Sequence, residues 1–325
     1  MEGEGLKKSG FFVNKSAMEG VVYRSTGSWY TVKSGDTFYP CRMKGKLRLE
    51  GIKSTNPVAV GDRVHFDLNK KDEALNGVIT EIFPRQNYIV RKSVNLSKQT
   101  HIIAANIDQV FLMITHNNPP TSPVFIDRFL ITAEAYQIPA VLLFNKWDAY
   151  TETEKEAVLE VKAIYEAIGY ESYIISALKQ QETQTVKENM KGKVSMFAGH
   201  SGVGKSTLAN AIAPGLNLKT AAISTSHQQG QHTTTFAEMF DLDEAISIID
   251  TPGIKGFGVV DMQAEEIGNY FPEIFVRKGA CKFNNCSHLN EPQCAIIDAV
   301  DREEIALSRY QSYCQLLEED TTYRS

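Results

Sequence analysis

Two short strings in this chain carry residue types that nucleotide chemistry requires. Gly199-His200-Ser201-Gly202-Val203-Gly204-Lys205-Ser206 has the spacing G-x-x-x-x-G-K-S, and it lies between the apolar run Val194–Ala198 and the helical pattern Lys205–Ile212. Glycines at these positions let backbone N–H groups turn inward around a polyphosphate, and the helix start adds its positive dipole end. Lys205 then reaches the β- and γ-phosphates, the Ser206 hydroxyl binds Mg²⁺, and Thr207 continues the phosphate-binding turn. The second string, Asn145-Lys146-Trp147-Asp148, ends the apolar run Ala140–Phe144. A carboxylate at Asp148 can accept from both N1–H and N2–H of guanine, a donor pair that adenine lacks. Asn145 is expected at O6 and N7, the Lys146 stem over the base, and a backbone N–H of Ser176-Ala177 at O6. The base is therefore read as guanine.

The remaining parts of such a site follow. Asp250-Thr251-Pro252-Gly253 closes the apolar run Ile246–Ile249. Asp250 is expected on Mg²⁺ through water and the Gly253 N–H at the γ-phosphate. The polar segment Gly230-Gln231-His232-Thr233-Thr234-Thr235 supplies a threonine for the Mg²⁺ shell, and Thr234 is the choice. The position after Gly253 is Ile254, which has no group to orient an attacking water. His232 is the candidate for that task, since an imidazole near its normal pKa accepts from water at neutral pH.

A third cluster is Cys281-x4-Cys286-x-His288-x5-Cys294. Three thiolates and one imidazole saturate tetrahedral Zn²⁺ and leave no open position, which predicts a structural site. Cys41 and Cys314 have no such neighbours and read as packing residues.

These residues need elements to hold them. From residue 18 to about 90 the pattern is five short strands, Gly20–Tyr23, Trp29–Val32, Phe38–Met43, Arg63–Leu68 and Gly77–Ile82, punctuated by Gly and Asp turns. Five strands in so short a span predict a small closed barrel of the OB type. Trp29, Tyr30, Phe38 and Tyr39 lie beside Arg42, Lys44, Lys46 and Arg48. Alternation buries about half of these aromatics and leaves the rest to stack on bases while the cations hold phosphates. From His101 strands and helices alternate: strands at Gln109–Ile114, Ala140–Phe144, Tyr173–Ile175, Val194–Ala198, Thr235–Phe240 and Ile246–Ile249, helices at Val124–Gln137, Glu152–Ile168 and Lys205–Ile212. That alternation predicts an open, mostly parallel α/β sheet. Beyond residue 264 the chain reads as helical, with a last helix near Arg302–Leu317. The predicted boundaries are 1–98 for an RNA-binding barrel, 99–262 for the nucleotide domain and 263–325 for the zinc module.

Composition agrees with this division. The chain has 325 residues and a net charge of −5. Residues 1–100 hold 17 Lys and Arg against 10 Asp and Glu, and the rest hold 17 against 29. A basic module on an acidic body suits a nucleic-acid partner. No apolar run approaches the ~20 residues that span a bilayer, and no secretory signal is visible, so no membrane partner is expected.

The order of the motifs is unusual. Ras-like GTPases run P-loop, switch I, switch II, base motif, whereas here the base motif at 145–148 precedes the P-loop at 199–206. Rotated order, preceding barrel and following Cys/His cluster together resemble the bacterial circularly permuted GTPases of the ribosome small subunit-dependent GTPase A family. Asn106-Ile107-Asp108-Gln109-Val110 and Ile126-Asp127-Arg128-Phe129-Leu130 also look familial. The resemblance implies an OB barrel, a circularly permuted Ras-like P-loop domain and a helical zinc module in one multidomain chain. It implies a cytoplasmic, monomeric GTPase using GTP/GDP, Mg²⁺ and one structural Zn²⁺. It also implies binding to the 30S subunit and its 16S rRNA, stimulation by that particle and action late in its assembly. The family's pattern places its proposed catalytic His at His232, with Arg in the preceding position where this chain has Gln231. A reading of another class stays open: a zinc-containing RNA-binding protein in which GTP is a slowly hydrolysed ordering ligand.

Overall fold

The computed structural model describes residues 17–45, 57–69, 76–92, 100–214, 237–243, 245–250 and 262–322. His232, Thr234, Gly253, Lys46 and Arg48 lie outside the described residues.

Strands β1 (Ala17–Ser25), β2 (Tyr30–Ser34), β3 (Thr37–Met43), β4 (Arg63–Leu68) and β5 (Gly77–Ile82) follow the alternation of the sequence. They run in the order β1-β2-β3-β5-β4, and β4 pairs back onto β1, so the sheet closes. Closure leaves the barrel without a free edge. Its core is Val22, Tyr30, Val32, Cys41, Val58, Val64, Phe66 and Ile79. Tyr30 and Cys41 are inside, while Trp29 and Phe38 are exposed and the Arg42 guanidinium lies 4.1 Å from the Trp29 ring centre. A hairpin, β6 (Tyr88–Lys92) and β7 (Thr100–Ala105), follows the barrel. It bridges the predicted 98/99 boundary.

The nucleotide domain holds β8 (Gln109–Ile114), α1 (Pro123–Ala135), β9 (Ala140–Phe144), α2 (Glu152–Ala167), β10 (Glu171–Ile174), α3 (Gln180–Met190), β11 (Lys193–Ala198), α4 (Lys205–Ile212), β12 (Glu238–Asp243) and β13 (Ile246–Asp250). The sheet order is β10-β9-β8-β11-β13-β12, parallel except for β12. Counted from the P-loop strand β11 and wrapped round to β8–β10, this order is 2-3-1-4-5-6. The sheet is thus an ordinary doubly wound one, entered at a rotated starting point. Its switch point lies between β11 and β8, where ligands bind at strand C-termini.

Strand β8 is buried along its whole length, and its side chains sort by parity. Val110, Leu112 and Ile114 join the core under α1 and α2, while Phe111 and Met113 join the core under α3 and α4. A central parallel strand covered on both faces reads as a continuous apolar run for this reason. Two N-caps fix the helix starts: Ser122 accepts from the Phe125 N–H, and Thr151 forms a capping box with Glu154.

The C-terminal module contains α5 (Ala264–Ile267), α6 (Pro272–Phe275), α7 (Ala295–Asp301) and α8 (Leu307–Thr322). The last helix starts at Leu307 rather than near Arg302, because the stretch Arg302–Ala306 is not helical and Glu303 takes φ 59°. Its core includes Phe271, Ile274, Ile296, Ile305 and Tyr313 together with Ile131 of α1. Barrel and nucleotide domain share one sheet, because β1 pairs β12 through Arg24 and Glu238. No helix among the described residues is long and apolar enough to cross a membrane.

Candidate active site and metal centre

The P-loop leaves β11 with Gly199 at φ 132° and enters α4 with Gly204 at φ 105°. A Cβ on Gly199 would lie 2.6 Å from the Met113 carbonyl oxygen, and one on Gly204 would lie 2.4 Å from Asn145 Nδ2. Only glycine fits positions with both a left-handed backbone and so close a neighbour. The second approach matters most, since it presses the base motif onto the phosphate loop.

Asn145 makes that joint. It is 2% exposed, its Nδ2 donates to the Val203 carbonyl at 2.7 Å, and its Oδ1 accepts from the Ala177 N–H at 2.9 Å. One side chain therefore ties together the P-loop, the base motif and the Ser176–Ala177 loop. Asn145 is expected to serve guanine O6 and N7; in the structure one of its amide hydrogens and its oxygen also hold protein. The backbone donors expected for O6 are also paired internally: Ala177 donates to Asn145 and Ser176 to the Glu182 carboxylate. Buried N–H groups in native structures find acceptors, and here the acceptors are side chains. Asp148 is exposed at the site's rim and accepts a hydrogen bond from the Ser176 hydroxyl. Lys146 takes φ 67°, and its ammonium donates to the Asn118 carbonyl in the loop after β8. Trp147 carries the Lys155 ammonium 5.5 Å from its ring centre.

The phosphate end has the charge it needs. The Lys205 ammonium donates to the Gly199 and His200 carbonyls, both at 2.8 Å, so it is held across the mouth of the loop. Burial pulls its pKa below the usual lysine value, and Asp250 partly offsets this. His200 stacks on Phe125 with ring centres 3.9 Å apart. Burial, reinforced by Lys205, lowers its pKa, so it is neutral at pH 7. Ser201, Gly202 and Thr207 are exposed, and Val203 is fully buried. The Ser206 hydroxyl is buried with no hydrogen-bond partner among the described residues. A buried orphan oxygen of this kind costs about 1–3 kcal/mol. It fits a ligand of the Mg²⁺ ion expected there, with Asp250 at the end of neighbouring β13.

Cys281, Cys286, His288 and Cys294 bring their ligand atoms within 4.8 Å of one another. Cys281 Sγ is 3.5 Å and Cys294 Sγ 3.4 Å from His288 Nδ1, and the two sulfurs are 4.0 Å apart. A tetrahedral ion with Zn–S of about 2.3 Å and Zn–N of about 2.0–2.1 Å demands S–N edges near 3.6 Å and S–S edges near 3.8 Å. The three edges among Cys281, His288 and Cys294 fit that tetrahedron, and Cys286 lies close enough to be its fourth ligand. Around it, Glu291 accepts from the N–H groups of Ser287, Leu289 and Asn290 and from the Ser287 hydroxyl. Those bonds hold its carboxyl at about 2. Tyr310 and Tyr313 of α8 donate to the carbonyls of His288 and Ser287. Second-shell anchoring of this type fixes a metal knuckle.

Sequence reasoning missed one polar centre. Arg309 of α8 is 1% exposed and lies between Asp127 of α1, at 2.5 Å, and Glu273 of α6, at 2.7 Å. Tyr165 of α2 donates to the same Asp127 oxygen. Burial would draw the guanidinium down, but the two carboxylates more than offset it and keep it charged. The available signal was Asp127 itself, a carboxylate inside the apolar face Ile126, Phe129, Leu130.

A P-loop and an Asn-Lys-Trp-Asp loop, meeting at the switch point of a sheet whose strands begin out of turn, define a circularly permuted GTP-binding protein. Comparison with known proteins names the group. A family model described as RsgA GTPase matches residues 82–260, and one described as RsgA N-terminal domain matches residues 19–77. A protein of Christiangramia forsetii called small ribosomal subunit biogenesis GTPase RsgA is 63% identical over 309 residues, covering 94% of this chain and 98% of that one. A protein of the same description from Flavobacterium psychrophilum is 58% identical, covering 95% of each chain. The solved structure of YjeQ from Thermotoga maritima aligns with a TM-score of 0.75 at 35% identity, over 93% of this chain and 98% of that one. YloQ, described as a circularly permuted GTPase, aligns with a TM-score of 0.73 at 26% identity, over 97% and 99%. The chain belongs to the RsgA GTPase family, and it is a GTP hydrolase whose family implies GTP/GDP and Mg²⁺.

Proposed function

We propose that the chain hydrolyses GTP in the service of small-subunit assembly, binding the 30S particle in its GTP form and leaving it after hydrolysis. The observation that carries this reading is the Asn145 joint. It brings the base motif and the P-loop into one site although the chain presents them in reverse order. The names of the relatives, which speak of small ribosomal subunit biogenesis, support the partner. In this reading Asp148 selects guanine, Lys146 covers it, Gly199–Thr207 wrap the phosphates, and Ser206, Asp250 and Thr234 hold Mg²⁺. His232 orients the attacking water in place of the side chain that Ile254 lacks. The barrel (1–98) and the zinc module (263–325) flank the GTPase domain (99–262) and hold 16S rRNA. Exposed Trp29, Phe38 and Arg42 on the barrel support that role. The four-ligand cluster holds Zn²⁺ and does no chemistry, and the protein acts as a cytoplasmic monomer.

The test is GTP turnover with purified 30S, 50S and 70S particles. Stimulation by 30S alone is expected, with His232→Ala keeping GTP and 30S binding but losing most of the stimulated rate. Equal 30S affinity for the GTP and GDP forms at fixed salt would leave the static RNA-binding reading instead.

A further inference from the structure

The loop that follows β10 is tied both to the base motif and to helix α3. Ser176 is fully buried, and its hydroxyl and backbone N–H point to different partners. Its hydroxyl donates to Asp148, the carboxylate assigned to guanine, while its backbone N–H donates to Glu182. Glu182 sits in the first turn of α3 and is a third exposed, and its second oxygen lies 3.7 Å from the Lys179 ammonium. Backbone bonds from Lys179 to the Ser176 carbonyl and from Glu182 to the Lys179 carbonyl close the turn between them. A chain of contacts therefore runs from helix α3 through Ser176 to the edge of the base site.

We propose that Glu182 is a positioning residue for guanine selection: it fixes the Ser176 backbone, and Ser176 in turn aims Asp148. This rests on the assignment of Asp148 to the base. An ordinary helix cap would also accept an N–H in the first turn, but it would stabilise α3 without changing which base is preferred. Selection by Asp148 depends on geometry, because guanine gives the carboxylate two donors, N1–H and N2–H, whereas hypoxanthine gives only N1–H. A carboxylate free to swing keeps a single contact more readily than a paired one.

The experiment compares GDP and IDP affinities of the full chain in Mg²⁺ buffer for Glu182→Ala, Glu182→Gln, Ser176→Ala and Asp148→Asn, with thermal melting alongside. Glu182→Ala should weaken GDP about tenfold and IDP by less than threefold, so that the GDP preference narrows. Ser176→Ala, which leaves the backbone bond intact, should narrow it too. Glu182→Gln retains an acceptor oxygen and should keep the wild-type ratio. If Glu182→Ala weakens both nucleotides equally, Glu182 is a cap only and the proposal fails. If Glu182→Gln behaves like Glu182→Ala, charge rather than the hydrogen bond is responsible, and it fails as well. Asp148→Asn separates the two layers. A shift from guanine toward xanthine nucleotides sustains the base assignment whatever Glu182 does, and an unchanged preference overturns both.

Discussion

The nucleotide domain is joined to its two neighbours in opposite ways. The barrel meets it across Tyr23 and Val60, which are buried in the same core as Met239 and Ile249, and through a polar contact that is partly open to water. Asp241 of β12 accepts from Tyr23 and Ser247 and pairs with Lys33 at 2.5 Å, and both Lys33 and Asp241 keep about a quarter of their side-chain surface in solvent. The zinc module meets it through Arg309, sealed between Asp127 and Glu273 under Phe271 and Tyr165. A hydrated ion pair loses little when its geometry shifts, because water takes over either partner. A sealed one loses a great deal, because the charge left behind has no solvent. The polar part of the barrel's joint thus tolerates adjustment, whereas the polar joint of the zinc module is either made or broken. The barrel's joint also lies on the ribbon β12–β13, so it is the one on the element that ends at Asp250.

Metal removal gives the largest expected effect and tests the sealed joint at its root. Tyr310 and Tyr313 hang α8 on the knuckle, and Arg309 rides on α8. Structural zinc sites carry roughly 10 kcal/mol or more of apparent folding free energy. Chelation, or Cys281→Ala, should release amide protection from about residue 270 onward while the barrel seam keeps its protection in hydrogen exchange. Loss of protection on both sides would mean that the two joints are not independent.

The next effect is smaller and more specific. Arg309→Met strands two buried carboxylates and should cost about 3–5 kcal/mol in urea unfolding. Adding Asp127→Asn and Glu273→Gln should recover most of that, since the penalty belongs to the unpaired charges. A cost below ~1 kcal/mol for Arg309→Met would erase the contrast between the joints.

The smallest effect belongs to the barrel seam. Asp241→Asn should cost about 1 kcal/mol, near the value of one exposed hydrogen-bonded pair. Burial raises the Asp241 pKa, but Lys33, Tyr23 and Ser247 more than offset this and leave it below the ordinary value. A carboxyl depressed on folding contributes stability that is complete above its unfolded pKa of about 3.9 and is lost as pH falls through the folded value. The seam should therefore be indifferent to pH between 6 and 8 and weaken only below about pH 4, where wild type and Asp241→Asn converge in melting temperature.

Local chemistry explains what could be read in advance. The barrel strands alternate, β8 and β9 are continuous apolar runs, and the P-loop, base motif and Cys/His cluster depend on spacing within one segment. Helix α3 escaped because it buries only Thr183, Val186 and Met190 on an otherwise polar surface. Partnerships across long separations were equally hidden: Asp127 and Arg309 are 182 positions apart, and only packing brings them together. The internal duty of Asn145 was obscured for a different reason. A base-binding motif suggests a free amide, whereas burial at 2% exposure demands that the amide be satisfied by protein.

Rotation of the sheet has a consequence for how the chain is made. Strand β8 is the centre of the finished sheet, yet its neighbour β11 begins at residue 193, well after β8 ends at residue 114. At about 5–20 residues per second, roughly 4–16 s of synthesis separate the two. Once β9 is made it can pair with β8, but throughout the interval the opposite edge of β8, every residue of which is destined for burial, has no strand to meet. A sheet begun at its P-loop strand would lay down its central strand first. Here the nascent polypeptide carries an unpaired apolar edge past the exit of the machine that makes it, and the phosphate-binding strand is the piece that finally closes it.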